Sequence, residues 1–227
     1  MPVATLPVAW SHASFSVAFA TGSTSATDIL TRSERREHDR LSHGWRRRDW
    51  LAGRCAAKQA VAARCGASLP LEKIQLEPRV DAAPRCMMRG NNEPWTPLPL
   101  TISIAHRDGV AIAVAADEMT RVGVDIERAG DIAPEQYRYF LTARERLSME
   151  RFDATLVWVL KEAAWKALGL APDVPFTDLQ LEFAHDSGAL QGVRIDSTWM
   201  PSRAYVLRSA RPRALVAAVL EIGRERQ

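Results

Sequence analysis

The sequence has few of the residues that cross-link small folds. Its three cysteines, Cys55, Cys65 and Cys86, include no C-x-x-C pair, and no histidine stands near them at zinc-ligand spacing. Neither a disulfide framework nor a structural zinc site is indicated. A chain of 227 residues with 47% hydrophobic content can bury a core without such cross-links. Free thiols fit a reducing compartment, so we expect a cytoplasmic protein.

Long apolar runs are also missing. No segment approaches the roughly 20 apolar residues that span a bilayer, so we expect no membrane association. The first charged side chain is Asp28, but prolines interrupt the segment before it and no basic residues precede it, so we predict no signal peptide. Phe15, Val17 and Phe19 alternate with small or polar residues, which predicts a half-buried strand.

The excess of positive charge is small overall, but the arginines are concentrated in one segment. The net charge is +3, yet residues 32–54 contain eight arginines and four acidic residues. Such a patch favours an anionic partner, either a nucleic acid or a phosphorylated small molecule. Base-stacking aromatics are sparse there, and the acidic strand at 123–127 would repel nucleic acid. We therefore expect no nucleic-acid partner.

Segments of the chain recur at a fixed offset. A shift of about 108 positions aligns three residues in each of two helices: Trp50, Arg54 and Lys58 with Trp158, Glu162 and Lys166. A strand and a charged helix recur in the same order, although chance matches are an alternative in a chain rich in Ala and Arg. The pattern predicts two similar half-domains, 1–116 and 117–227, related by a pseudo-two-fold axis, with the active site in the cleft between them.

Strand patterns accompany the helices in both halves. TISIAH (101–106) and GVAIAVAA (109–116) flank a tight turn and predict a hairpin. After the second apolar helix, the segments 178–185, 203–210 and 214–221 are further strand candidates. The fold class predicted is therefore α+β.

The segment VGVDIE (122–127) places two carboxylates on one strand face. Asp125 and Glu127 are two positions apart, hence about 7 Å apart on the same side of a strand, while the alternating apolar residues face the core. A solvated edge strand is one explanation. The other is a site for a hard cation such as Mg2+, which binds one or two protein carboxylates and completes its shell with water and phosphate oxygens.

The helix at 155–169 is apolar on two sides. One stripe of aliphatic residues lies opposite Trp158 and Trp165, which indicates a buried helix. Glu162 and Lys166 lie one turn apart on it, and charges in poorly solvated places are usually paired or bound to a ligand. A simple ion pair between the two is the alternative.

The helix at 47–65 carries basic groups within its apolar stripe. Arg54 and Lys58 project close to Leu51 in the helical projection, while the other face is largely alanine. The pattern leaves open which side faces inward, and basic side chains that extend to solvent remain an alternative to phosphate binding. His106 ends the strand before the hairpin turn, where a histidine is commonly a capped or core residue.

Taken in order, five segments resemble the 4'-phosphopantetheinyl transferases, specifically the Sfp-like type built as a pseudo-dimer in one chain. They are RRRDWLAGRCAAK (46–58), ISIAHRDG (102–109), GVDIE (123–127), FLTARE (140–145) and WVLKEAAWKALG (158–169). The resemblance implies Mg2+-dependent transfer of the phosphopantetheine arm of coenzyme A to a serine of an acyl or peptidyl carrier protein, with release of 3',5'-ADP.

The resemblance also implies roles for individual residues. Asp125, Glu127 and Glu162 would surround the metal, and Lys166 would stabilise the departing phosphate. The serine proton would go to Glu162, with Glu145 as a second candidate. The remaining residues expected to contact coenzyme A phosphates are His106, Arg54, one of Arg46, Arg47 and Arg48, and less directly Lys58 and Lys161.

Two segments depart from the family pattern. Asn92-Glu93-Pro94 stands where many relatives have Gly-Lys-Pro, and Ala105-His106 where Ser-His is usual, so a module that binds coenzyme A without transferring it is a rival. The carrier is expected to dock on segment 129–150, with four aromatic or aliphatic residues as contacts or ordinary core: Tyr137, Tyr139, Phe140 and Leu141. Exposed arginines would attract an acidic carrier. The enzyme is expected to be a monomer.

Overall fold

The chain divides into two compact units, each described here by itself. The computed structural model describes residues 9–22, 24–66, 69–79, 82–90, 93–147, 152–208 and 215–223. Unit 1 is Met1–Met119 and unit 2 is Thr120–Gln227. Residues 1–8, Asn91, Asn92 and residues 148–150, which entered the sequence predictions, lie outside the described residues. The pseudo-two-fold axis stays a prediction.

Unit 1 contains two antiparallel sheets and one long helix. The elements in chain order are β1 Ala9–Ser11, β2 Phe15–Thr21, a 3-10 helix Thr24–Ile29, α1 Arg32–Arg40, α2 Gly44–Arg64, a 3-10 helix Leu71–Lys73, β3 Ile74–Arg79, β4 Ala82–Met88, β5 Thr96–Pro97, β6 Leu100–Arg107 and β7 Val110–Asp117. The sheets have strand orders β1-β2-β7-β6 and β3-β4-β5, and helix α2 packs on β2 and β7.

Small side chains set the packing of α2 on its sheet. Its alanine face is the inward one, so the orientation that the sequence left open is settled: Ala52, Ala56, Ala57 and Ala60 are fully buried against alanines of the strands. Alanine on both surfaces lets helix and sheet approach closely. The strand β2 is buried along both faces over Phe15–Phe19, so the prediction of a half-buried strand is wrong.

The predicted hairpin is confirmed as β6 and β7. Asp108 and Gly109 form its turn with positive φ angles of 53° and 78°, which glycine and aspartate tolerate better than most residues. The backbone N–H of Gly109 donates a 2.6 Å hydrogen bond to Asp49 Oδ1 on α2. The helix thereby fixes the hairpin tip, three residues beyond His106.

Unit 2 contains a five-stranded antiparallel sheet under one long helix. The elements are β8 Arg121–Arg128, a 3-10 helix Pro134–Gln136, α3 Tyr137–Phe140, α4 Ala143–Leu147, α5 Ala154–Leu168, β9 Leu179–Phe183, β10 Leu190–Ile195, β11 Thr198–Arg208 and β12 Leu215–Ile222. The strand order is β8-β12-β11-β10-β9, and α5 packs on β8 and β12. None of the described helices has the length and apolar character required to cross a membrane.

Helix α5 begins and ends at residues suited to those positions. Asp153 accepts a hydrogen bond from Thr155 N at 2.9 Å, and Gly169 closes the last turn with φ of 61°. On β8, Gly123 allows the helix to approach closely, since a Cβ there would lie 1.9 Å from Ala163 O. Gly123 and Asp125 share a strand face, so this contact places the carboxylate beneath α5.

Both units contain the same buried lysine lock. In unit 1, the Lys58 ammonium contacts Glu34 Oε2 at 2.6 Å and donates hydrogen bonds to Ile29 O and Leu71 O. Glu34 also accepts from Thr31 N in a capping box, and from Leu76 N at 3.1 Å. One ion pair therefore joins helix α2, the start of α1 and strand β3.

The lock in unit 2 repeats these contacts and adds one further backbone acceptor for the lysine. Lys161 contacts Glu145 Oε2 at 2.7 Å and donates to Phe140 O, Phe176 O and Leu179 O. Glu145 accepts from Thr142 N at 2.8 Å and from Leu181 N at 2.9 Å. Lys58 therefore corresponds to Lys161, and the sequence register that aligned Lys58 with Lys166 is wrong.

The three thiols differ in environment, which gives a first prediction. Burial raises the pKa of all three thiols, that of Cys86 to about 12, but Cys65 is exposed whereas Cys55 and Cys86 are buried. Because the thiolate is the reactive species, we expect one rapidly labelled thiol per native chain at pH 8, and three in denaturant. Mass spectrometry after timed alkylation would locate the label; rapid native labelling of Cys86 would contradict the buried environment.

Candidate active site

The acidic strand and the apolar helix of unit 2 bring three charged side chains together. Asp125 is 6% exposed, and its Oδ1 accepts a 2.7 Å hydrogen bond from Lys166 Nζ. The same ammonium lies 3.5 Å from Glu162 Oε2. One cation thus bridges two carboxylates contributed by β8 and α5. The alternative of an isolated ion pair between Glu162 and Lys166 is excluded, because Asp125 makes the shorter contact.

The electrostatics of this group favour a further cation. Burial raises the pKa of Glu162, Lys166 lowers it, and the neighbouring Asp125 raises it again. Asp125 Oδ2 is buried and accepts no hydrogen bond from any described residue. An orphaned carboxylate oxygen in a poorly solvated place is destabilising unless a proton or a cation occupies it.

The third predicted metal ligand lies on the same strand. Glu127 is two residues beyond Asp125 on β8 and is half-buried. Within the described part of the chain, however, no three His, Cys, Asp or Glu side chains form a group ready to hold a metal. The predicted triad of carboxylates is therefore not preassembled; Asp125 and Glu162 are already close, with Lys166 between them.

Two of the predicted phosphate-binding residues line one cavity of unit 1. This cavity, of about 280 Å3, is formed by α2, the β3 and β4 strands and the end of β6. Its polar or charged lining residues are Trp50, Arg54, Arg79 and His106. Among the described residues, no acidic side chain lines it. The cavity can therefore accept an anion beside a flat indole surface.

Arg54 is held by its own unit. Its guanidinium stacks on Trp50, with 4.5 Å from Cζ to the ring centroid, and lies 3.9 Å from Glu34 and 3.6 Å from Glu37. Its buried Nε has no hydrogen-bond partner among the described residues. Two carboxylates thus offset much of the charge of Arg54, while one donor is still available.

His106 stands at the open side of the same cavity. Its side chain is 50% exposed, and Nδ1 lies 3.9 Å from Asp49 Oδ2. Asp49 in turn holds the hairpin turn through Gly109 N. The histidine is therefore neither a capped nor a core residue, and its ring can reach a ligand.

The structure corrects the roles predicted for Lys58 and Lys161. Both side chains are completely buried, and each ammonium already has three or four oxygen acceptors within its own unit. Neither can reach a coenzyme phosphate without breaking the lock. Burial lowers the pKa of both, and the facing carboxylate opposes that shift. The suggestion that Glu145 is a base is also wrong, because its oxygens are bound by Thr142 N, Leu181 N and Lys161.

The three consecutive arginines at the start of α2 are exposed. Arg46 packs over Trp45, and Arg47 donates a 2.6 Å hydrogen bond from Nε to Leu41 O. Arg47 and Arg48 line a second cavity of unit 1 together with Trp45 and Leu51. They do not line the cavity that holds Arg54 and His106, so a role in binding the same phosphate stays a prediction.

The predicted carrier-docking residues fall into two groups. Phe140 and Leu141 are buried in the core of unit 2, so they are core rather than contact residues. Tyr137 is half-buried against that core, whereas Tyr139 is 63% exposed. The exposed charged side chains of α3 and α4, next to Tyr139, are basic, namely Arg138, Arg144 and Arg146, whereas the exposed acids Asp131 and Glu135 precede α3.

Sequence reasoning missed Arg79 and the direct role of Trp50 in the cavity. Arg79 follows Pro78 at the end of β3, a strand that no pattern predicted, and Pro84 interrupts its partner β4. Prolines weaken strand signals. Trp50 was noted only for its place in the repeat, although its spacing of four from Arg54 predicts that the two side chains are neighbours.

Comparison with known proteins bears on unit 2. Residues 121–218 match the model of the 4'-phosphopantetheinyl transferase superfamily. The match is to a family of transferases. It contains Asp125, Glu127, Glu162 and Lys166, and it leaves unit 1 outside. The superfamily match alone does not distinguish the Sfp-like subtype.

A solved structure gives a weaker likeness. The holo-[acyl-carrier-protein] synthase of Thermotoga maritima is 20% identical, with a TM-score of 0.37, and the alignment covers 46% of this chain and 64% of that one. The chain thus covers less than two thirds of that structure. No curated protein matches the sequence.

Proposed function

We propose that the protein transfers 4'-phosphopantetheine from coenzyme A to a serine of an apo carrier protein and releases 3',5'-ADP. The observation that carries this proposal is the group of Asp125, Glu162 and Lys166, built on the strand and helix that fall within the superfamily match. Charged side chains at a buried strand-helix contact suit a reaction in which a pyrophosphate must be held and cleaved.

A divalent cation fits this group, with Mg2+ the natural candidate. Asp125 Oδ2 has no hydrogen-bond partner among the described residues, Glu162 Oε2 lies 3.5 Å from the ammonium that Asp125 also contacts, and Glu127 follows on the same strand face. Carboxylate oxygens are the ligands that Mg2+ prefers. When bound, the metal would offset the charge of the pyrophosphate. Asp125, Glu162 and Glu127 would hold it.

The chain's own side chains account for the remaining steps. The serine oxygen forms a bond to the phosphorus of the pantetheine phosphate, and the bond from that phosphorus to the ADP oxygen breaks. Glu162, whose pKa is raised by burial, takes the serine proton directly or through a water. Lys166 stabilises the negative charge that develops on the departing phosphate.

The docking surface for the carrier is proposed on α3 and α4 of unit 2. Its exposed residues are Arg138, Tyr139, Arg144, Arg146 and Leu147. Acidic carrier proteins are attracted to basic surfaces, and an exposed tyrosine and leucine supply apolar contact area. The protein is proposed to act as a cytoplasmic monomer.

The test is a direct transfer assay. The protein is incubated with coenzyme A, Mg2+ and each of several apo carrier proteins, and the carriers are weighed by mass spectrometry. We expect the mass of one phosphopantetheine on at least one carrier, with 3',5'-ADP in equal amount and neither product when Mg2+ is chelated. A carrier whose serine is replaced by alanine is the control. No adduct on any carrier, in the presence of bound coenzyme A, would favour the rival module that binds without transferring.

A further inference from the structure

The two units provide an internal comparison between what the fold needs and what a ligand needs. The lysine lock is present in both units, in each case with a buried glutamate and backbone carbonyls as partners. It defines equivalent positions in the two units. Arg54 stands four residues before Lys58, and Val157 stands four residues before Lys161. Leu76 N donates to Glu34 and Leu181 N donates to Glu145, so these leucines are equivalent. Arg79 and Ala184 each stand three residues after them.

A cavity is present at these equivalent positions in both units. In unit 1 it is lined by Arg54 and Arg79, and in unit 2 a cavity of about 320 Å3 is lined by Val157 and Ala184. The unit 2 cavity has its cations, Arg144 and His185, at other positions and carries two acidic residues as well. The fold therefore requires neither arginine, and both are additions specific to unit 1.

The two arginines of unit 1 differ in how much of their charge is offset. Arg54 is stacked on Trp50 and lies close to Glu34 and Glu37. Arg79, in contrast, is exposed and has no ion pair or hydrogen bond within the described residues. Among the described residues, Arg79 thus supplies the cavity's charge that no carboxylate offsets, and His106 lines the same cavity.

The carboxylate of Glu93 does not cancel this charge. It folds back toward the backbone of Gly90, where a Cβ would lie 2.3 Å from Glu93 Oε2, and it does not line the cavity. The cavity thus keeps Arg79, from the end of β3, as a lining cation.

We infer that Arg79 is the residue that binds a terminal phosphate monoester in this cavity, and so sets the preference for coenzyme A over dephospho-coenzyme A. A guanidinium at the end of a strand can donate two parallel hydrogen bonds to such a group. Arg54 and Trp50 would form the cavity wall and His106 the second donor. This inference rests on the proposed function, since it assumes that coenzyme A is the ligand.

Calorimetric titration separates the inference from the proposed function. Wild type, Arg79→Ala and the matched control Arg85→Ala are each titrated with coenzyme A and with dephospho-coenzyme A. Arg85 is exposed on the adjacent strand β4 and does not line the cavity. We expect wild type and Arg85→Ala to bind coenzyme A at least ~10-fold more tightly than the dephospho form, and Arg79→Ala to lose that ratio.

Each outcome has a defined meaning. A ratio in Arg79→Ala equal to that in wild type, or a wild type that binds both ligands equally, would overturn the inference while leaving the transfer assay untouched. A wild type that binds neither ligand would overturn the proposed function. Arg79→Lys, which keeps the charge but not the paired donors, is expected to recover part of the ratio.

Discussion

Replacing Asp125 by asparagine lowers the rate of transfer by about 10^2 to 10^4-fold while leaving the fold intact. The amide keeps the volume of the side chain but removes the charge that Lys166 contacts at 2.7 Å and the free Oδ2. Initial rates of carrier modification at saturating coenzyme A measure the effect, and a thermal melt checks the fold. Glu162→Gln is expected to show a loss of the same order.

Glu182→Gln is the matched control for this experiment. Glu182 also lies in unit 2 and also forms an ion pair, with Arg194 at 2.8 Å, but neither residue touches the Asp125 group. Its rate is expected to stay within about threefold of wild type, because half-exposed ion pairs contribute little. An Asp125→Asn protein with near-wild-type rate would show that the group of Asp125, Glu162 and Lys166 is structural.

Replacing Lys161 by methionine destabilises the protein by about 3 to 5 kcal/mol. The substitution leaves Glu145 as a buried charge without its cation, and it removes the donor for three backbone carbonyls. Urea unfolding measures the change in the free energy of unfolding. Lys58→Met is expected to show a loss of similar size in unit 1, since it also leaves a buried glutamate without its cation and removes the donor for two backbone carbonyls.

Two further variants test the cause of this destabilisation. Arg194→Met removes a cation from a more exposed pair of unit 2 and is expected to cost about 0 to 1 kcal/mol. Lys161→Met combined with Glu145→Gln removes both charges and is expected to recover part of the loss, because no unpaired charge is then buried. A Lys161→Met protein as stable as wild type would contradict the lock.

Sequence patterns predicted which charged side chains of unit 2 lie close together, because periodicity determines which residues share a face. The alternation in VGVDIE placed Asp125 on one face, and the two apolar sides of helix 155–169 predicted poorly solvated positions for Glu162 and Lys166, whose side chains are 22% and 25% exposed. The hairpin around the turn Arg107-Asp108-Gly109 was predicted from its turn residues. In each case, local spacing along one element determines which side chains share a face.

Patterns could not predict contacts that depend on backbone carbonyls of residues distant in the sequence. Lys58 and Lys161 were expected to bind phosphate, whereas the acceptors Ile29 O, Phe140 O and Leu179 O hold them in the core. No side-chain identity reveals such acceptors. The strands β3, β4 and β10 were missed because Pro78, Pro84 and Gly192 weaken their signals.

The repeated lock also bears on how the two units could diverge. Every partner of Lys58 lies in unit 1, and every partner of Lys161 lies in unit 2. Each unit secures its own core, so selection on one binding surface does not constrain the other. Such independence permits a division of labour, with Arg54 and Arg79 in unit 1 and Asp125 and Glu162 in unit 2, because a substitution in either group leaves the lock of the other unit intact.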